Sequence, residues 1–136
     1  MPIIRKREQT MEKKDVERFE KLHIQIKDMY SELSILSKKS PDGAINKFKL
    51  NFINQLIEEA NQLLGKRYMP FSDFQRFQED DMPFNSDVVL IISQYIKCLE
   101  KFKYDNVKRL SGNWYWNLSD TDEEVKTSHP IMDLVM

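Results

Sequence analysis

Apolar residues recur at intervals of three and four through three long stretches of this chain, and this spacing constrains the fold more than any other feature. Such a period places the apolar side chains on one face of an α-helix. A first helix is therefore predicted from about Met11 to Ser37. Its apolar face consists of Val16, Phe19, His23, Ile26, Tyr30 and Leu33, and it is widened by Leu22, Met29 and Leu36.

The second stretch, residues 40–64, carries an apolar arc that is too wide for a single neighbouring helix, so we expect this helix to be central. Ser40 as N-cap and Pro41 in the first turn predict its start. Gly65 predicts its end, because glycine readily adopts the left-handed conformation that terminates helices. The arc consists of Ile45, Phe48, Leu50, Phe52, Ile53, Leu56, Ile57, Ala60, Leu63 and Leu64.

The third stretch covers residues 85–110 and is predicted to be a helix. Its run Val88–Ile92 alone suits a β-strand, but the spacing of three and four continues to Phe102 and favours a helix. Polar residues at 85–87 predict its N-cap. Residues 111–113, Ser-Gly-Asn, predict its end.

Residues 66–84 interrupt the helical pattern with two prolines and five aromatic side chains. We expect this segment to cross one end of the molecule. Helices of similar length joined by a short first connection favour antiparallel packing. The predicted fold is therefore all-α: an up-down-up bundle of three long helices with an aromatic-rich connecting segment and short terminal tails.

Charge divides the chain into a middle with balanced charge and two charged ends. Residues 1–14 carry five basic and two acidic side chains, and residues 119–136 carry one basic and five acidic side chains. Balanced charge together with strong periodicity marks the folded part. We predict a basic N-terminal arm at 1–11, a helical bundle domain at 12–110 and an acidic and apolar C-terminal tail at 111–136.

Composition excludes several classes of protein. A net charge of −1 gives no general attraction to nucleic acid or to an anionic membrane. The longest apolar run, Val88–Ile92, is far shorter than the roughly 20 residues that span a bilayer, and no secretory signal is visible. The single cysteine, Cys98, fits a reducing compartment, so a cytoplasmic protein that does not bind membranes is predicted. Ile, Lys, Asn, Phe and Tyr, whose codons are AT-rich, total 48 residues and indicate a bacterial, phage or mobile-element genome.

No motif in the sequence predicts an enzyme. Glu20 and His23 form an E-x-x-H pattern, which is half of a carboxylate-bridged di-iron site, but a complete site needs a second such pattern and two further carboxylates. The other histidine, His129, has Lys126 three residues before it. Cys98 lies in mid-helix, where a thiol behaves as a small apolar group. We therefore predict no catalytic residue, no metal and no cofactor, and we keep a metal- or thiol-dependent enzyme as the second alternative function.

Three asparagines recur on one face of the predicted central helix. Asn46, Asn54 and Asn61 are spaced by eight and seven residues. Such a row can be a polar seam that sets the register with a partner helix. It can equally be a solvated boundary face that is enriched in asparagine by codon bias.

A basic patch is predicted if the three helices alternate in direction, because the end of the third helix then meets the start of the second. Nucleic acid can bind such a patch, with aromatic rings stacking on the bases, while cations at helix C-termini also stabilise the helices themselves. Binding of nucleic acid is therefore the first alternative function. The candidate residues are Lys38, Lys39, Lys47, Lys49, Lys108 and Arg109.

The C-terminal tail ends in a cluster of apolar residues, which is unusual for a free terminus because such side chains gain about 1.5–3 kcal/mol each when buried. Either the tail folds back onto the bundle or it docks on a partner. We expect a non-enzymatic helical interaction or accessory subunit that binds itself or a larger protein. The candidate partner-binding residues are Trp114, Trp116, Ile131, Met132, Leu134 and Val135.

Overall fold

The computed structural model describes residues 9–131, which form three helices and a small antiparallel sheet. The helices are α1 (Lys13–Lys39), α2 (Lys47–Tyr68) and α3 (Asn85–Asp105), and a single 3-10 turn lies at Glu79–Asp81. The strands are β1 (Val107–Leu110), β2 (Asn113–Trp116) and β3 (Lys126–Thr127), in the spatial order β1-β2-β3.

The prediction of an all-α fold is wrong, because the chain leaves the helical conformation after Asp105 and forms a hairpin. Ser111 and Gly112 have positive φ angles of 50° and 82° and make a two-residue turn between β1 and β2. A turn with two left-handed central residues matches the right-handed twist of paired strands. Ser111 and Gly112 therefore join two strands. The prediction that residues 111–113 end the third helix is wrong.

The predicted up-down-up order is also wrong, because α2 and α3 run in the same direction. Asn61 of α2 is hydrogen-bonded to Tyr95 of α3, and Tyr68, about two turns further along α2, is bonded to Asp105 at the end of α3. Residue numbers thus increase together along the two helices. In contrast, α1 is antiparallel to α3.

The segment 69–84 makes this arrangement possible by returning along the whole length of α2. Its middle residue Phe77 is bonded to Asn54, and its end pairs through an antiparallel bridge between Phe84 and Ala44. About sixteen extended residues reach roughly 50 Å, more than the roughly 33 Å of a helix of this length. The segment therefore lies along the bundle, and the prediction that it crosses one end of the molecule is wrong.

The second helix begins later than predicted, and it is interrupted at the predicted residue. Asn46 is the N-cap, with its Oδ1 accepting the main-chain N–H of Lys49 at 2.8 Å, whereas Ser40 ends α1. Gly65 has φ 65° and ψ 179°, so the helix is interrupted at the predicted residue, although one more turn follows it to Tyr68.

The core lies where the three helices meet and continues beneath the sheet. Phe19, Ile53 and Ile92, one from each helix, are fully buried. Trp116 of β2 is only 1% exposed and packs edge-to-face on Phe19, with ring centroids 5.1 Å apart. The hairpin therefore covers the part of the core that α1 and α3 leave open near Phe19.

Candidate interaction surface

An open groove of about 630 Å³ runs between α1 and α2, and we call it the α1–α2 groove. Its apolar residues are Leu22 and Met29 of α1 and Phe52 and Leu56 of α2. Leu22 is buried, Met29 and Leu56 are half-buried, and Phe52 is 44% exposed. The groove therefore has an apolar floor that solvent reaches.

Phe52, which lines this groove, packs against a second exposed phenylalanine, Phe48. Phe48 and Phe52 are one helical turn apart on α2, so their side chains meet on one face. Their ring centroids are 5.0 Å apart with an interplanar angle of 79°, and Phe48 is 73% exposed. Both residues belong to the wide apolar arc that is predicted for the second helix. The width of that arc was the available signal for a further contact, but it does not say which of its residues remain exposed.

The charges along the groove change sign from one end to the other. Arg18 and Lys21 lie towards the start of α1, and Asp28 and Glu32 lie towards its end. Within residues 9–131, neither Lys21, Asp28 nor Glu32 forms an ion pair. These three side chains are exposed and available to charges outside the chain.

Arg18 ties the two walls of the groove together at its cationic end. Its Nε and Nη2 donate to Oε1 of Glu59 on α2 at 2.9 and 2.7 Å, and its Nη2 lies 3.3 Å from Oε1 of Gln62. The guanidinium also approaches Asp15 at 3.5 Å. This clamp holds α1 and α2 at a defined separation.

A second groove, of about 850 Å³, lies on another side of α2, beside the segment 69–78. Half of the residues that line it have amide side chains. The lining includes Asn51, Asn54, Gln55, Asn61, Gln62 and Gln75, with Glu58, Lys66 and Arg76 supplying charge.

The three asparagines of the predicted seam make three different contacts within the chain. Asn46 caps α2. Asn54 is buried and bonds both main-chain groups of Phe77. The Oδ1 of Asn61 accepts the hydroxyl of Tyr95 at 2.8 Å.

A buried carboxylate, Glu100, lies between α3, α1 and the C-terminal segment. Its Oε1 is 2.6 Å from Nε2 of His23 and 3.4 Å from Nζ of Lys27, and its Oε2 accepts the main-chain N–H of Ile131 at 3.0 Å. Burial acts to raise the pKa of Glu100, but the hydrogen bonds from His23 and Ile131 and the nearby positive charge outweigh it and lower this pKa to about 2. Glu100 is therefore ionised, and it binds the main chain of the C-terminal segment at Ile131.

Other polar groups in this region also form hydrogen bonds with the C-terminal segment, at Thr127 and Ser128. Glu20 Oε1 accepts the indole N–H of Trp116 at 2.7 Å and the hydroxyl of Thr127 at 2.9 Å. Lys103 is buried and donates to Ser128 Oγ at 2.7 Å, and burial lowers its pKa. The E-x-x-H residues Glu20 and His23 thus contact different partners: Glu20 accepts hydrogen bonds from Trp116 and Thr127, and His23 is bonded to Glu100.

The predicted basic residues lie in two separate places. Lys38 and Lys39 end α1 and lie near Lys47 and Lys49 at the start of α2. Lys108 and Arg109 are in β1, which follows the C-terminal end of α3, and the start of α2 lies beside the other end of α3. Lys108 approaches Glu124 at 3.4 Å. The parallel course of α2 and α3 separates the two groups, so the six residues do not form one patch.

The aromatic and apolar residues predicted to bind a partner differ in their exposure to solvent. Trp116 is buried, whereas Trp114 is half-buried and lies edge-to-face on His129 with ring centroids 5.1 Å apart. Ile131 is 41% exposed although its N–H is bonded to Glu100. Met132, Leu134 and Val135 lie outside the described residues.

Three further observations concern a thiol, metal ligands and membrane spans. Cys98 is half-buried on α3, and burial raises the pKa of its thiol, which disfavours the reactive thiolate. Within residues 9–131, His, Cys, Asp and Glu side chains do not gather in groups of three or more that suit a metal ion. None of the helices in this range combines the length and apolarity needed to span a bilayer.

No family model, no characterised protein sequence and no solved structure matches this chain.

Proposed function

We propose that this protein is a non-enzymatic interaction subunit of a larger complex and that it docks through the α1–α2 groove and the Phe48–Phe52 pair. The exposure of these two adjacent rings beside an apolar floor is the observation that carries the proposal. Burial of a phenylalanine side chain contributes about 1.5–3 kcal/mol. Because α2 already holds both rings in place, little further ordering of the backbone opposes binding.

The charges at this surface favour a protein over nucleic acid. The groove carries three carboxylates, of Asp28, Glu32 and Glu59, and two cations, of Arg18 and Lys21. Carboxylates repel phosphates, and the cations of a nucleic-acid interface cluster without them. The separation of the predicted basic patch into two groups also removes the main support for the nucleic-acid alternative.

Site-specific photocrosslinking tests the proposal. A photoreactive phenylalanine analogue replaces Phe48 in the full chain, expressed in the organism that encodes it. The matched control places the same analogue at Leu90, which is 59% exposed on α3. We expect the position 48 chain to yield an adduct with one protein of defined mass. The Leu90 control should not yield it, and Phe52→Asp should abolish it.

Two results would contradict the proposal. Equal crosslinking from positions 48 and 90 would show that the aromatic pair is not a specific docking surface. An adduct to nucleic acid would support the alternative function. Circular dichroism of the Phe52→Asp chain checks that the lost adduct does not reflect unfolding, which we do not expect for an exposed position.

A further inference from the structure

We infer that the α1–α2 groove binds an amphipathic α-helix of the partner, which lies parallel to α1 with its acidic half beside Arg18 and Lys21. This inference rests on the proposed function, because it names the kind of partner segment that the docking surface accepts.

The walls of the groove favour a helix over an extended strand. Both walls are α-helices, whose main-chain groups are already bonded internally. An added strand would therefore find no row of free main-chain N–H and C=O groups to pair with. A helix needs no such row, because it binds through side chains spaced by three and four residues.

The dimensions of the groove suit about four helical turns. From Arg18 to Glu32 the α1 wall extends roughly 21 Å at about 1.5 Å per residue. The solvent-accessible part of the apolar floor consists of Met29, Phe52 and Leu56. An apolar stripe along one face of the incoming helix would cover this floor and the exposed ring of Phe52.

The sign of the charges sets the direction of the bound helix. Helices commonly carry acidic residues near the N-terminus and basic residues near the C-terminus, because these charges complement the helix dipole. A helix of this kind that runs parallel to α1 places its acidic half at Lys21 and its basic half at Asp28. Since Arg18 is already paired with Glu59, Lys21 and Asp28 carry most of the discrimination.

A second copy of this chain would present α2, on which Phe48 and Phe52 are exposed at successive turns. The charged residues of α2 begin with Lys47 and Lys49, and Glu58 and Glu59 follow later. This order is the reverse of what a helix parallel to α1 needs. A second copy would therefore bind in the antiparallel direction, and a measurement of the oligomeric state distinguishes it from the partner helix.

Two synthetic helical peptides of about 18 residues test the inference. Both carry the same leucine stripe. One has glutamates in its first half and lysines in its second, and the other has these charges exchanged. Isothermal titration calorimetry measures their binding to the full chain. We expect the first peptide to bind about tenfold more tightly, as a change of two close charge pairs can produce.

A charge exchange on the protein supplies the decisive control. The double variant Lys21→Glu, Asp28→Lys should prefer the second peptide by a similar factor. A matched exchange outside the groove, Glu58→Lys with Lys66→Glu, should leave the preference unchanged. Equal affinities, or no binding of either peptide up to about 1 mM, would overturn the inference.

Failure of this inference is distinguishable from failure of the proposed function. If the crosslink from position 48 maps to an extended segment of the partner, the proposed docking surface is supported. The inference that this surface binds a helix is then wrong. If light scattering shows a dimer that Lys21→Glu dissociates, a second copy occupies the groove, which also overturns the inference.

Discussion

The side chain of Asn54 forms two hydrogen bonds with the main chain of Phe77, which fixes the middle of the returning segment against α2. Its Oδ1 accepts the N–H of Phe77 at 2.8 Å, and its Nδ2 donates to the carbonyl oxygen of Phe77 at 3.0 Å. Both bonds are buried. One amide therefore replaces the pairing that a neighbouring strand would otherwise provide for this stretch of main chain.

Replacement of Asn54 by leucine should lower the free energy of unfolding by about 2–3 kcal/mol. The change removes two bonds and leaves a buried N–H and C=O without partners, which costs more than the loss of an exposed bond. Urea denaturation followed by circular dichroism measures this effect. The matched variant Asn51→Leu, at an exposed position on the same helix, should change the stability by less than about 0.5 kcal/mol. Equal effects at the two positions would show that the pairing with Phe77 does not stabilise the fold.

Glu100 should make stability depend on pH below about 5. Its folded-state pKa of about 2 lies below its ordinary value of 4.5, so the unfolded chain binds the proton more readily. The stabilisation is complete above pH 4.5 and is lost as the pH falls towards 2. We expect this group to contribute about 2–3 kcal/mol of that loss. Comparison of wild type with Glu100→Gln by urea denaturation between pH 7 and 2 should show a shallower acid limb in the variant, whereas exposed Glu58→Gln should follow wild type.

Gly65→Ala should destabilise the chain by about 1–2 kcal/mol, because an L-residue with a Cβ disfavours a positive φ. The backbone there has φ 65°, and a Cβ at this residue would meet no atom within 4 Å. The cost is therefore conformational and not steric. Thermal melting of Gly65→Ala beside Lys66→Ala, one residue further along, measures it. A melting temperature of Gly65→Ala equal to that of the control would contradict the positive φ.

Trp116→Phe should cost about 2–3 kcal/mol, because it removes buried apolar surface together with the indole N–H that Glu20 accepts. The same change at half-buried Trp114 should cost less than half as much. Urea unfolding monitored by circular dichroism compares the two single variants. Similar losses would indicate that the hairpin does not cover the core in the way described above.

The three helices could be predicted from local periodicity, and so could the interruption at Gly65. A period of three to four positions depends only on residues within one or two turns of each other, so it is visible before any tertiary contact forms. The end of α3 was predicted five residues late. The Ser111–Gly112 pair before Trp114–Trp116 is a hairpin signal. It was interpreted as the end of a helix because it follows a long helical pattern.

The direction of α3 and the composition of the proposed docking surface were decided by the tertiary structure. The route of residues 69–84 depends on the pairing of Asn54 with Phe77, two residues 23 positions apart, which no local pattern indicates. That route separates Lys38 from Lys108 and sets α2 and α3 parallel. Likewise, Phe48 and Ile53 look equally apolar in sequence, but packing buries Ile53 completely and leaves Phe48 in solvent. Exposure is a property of the surrounding elements, and therefore the surface available to a partner became visible only when all three helices were in place.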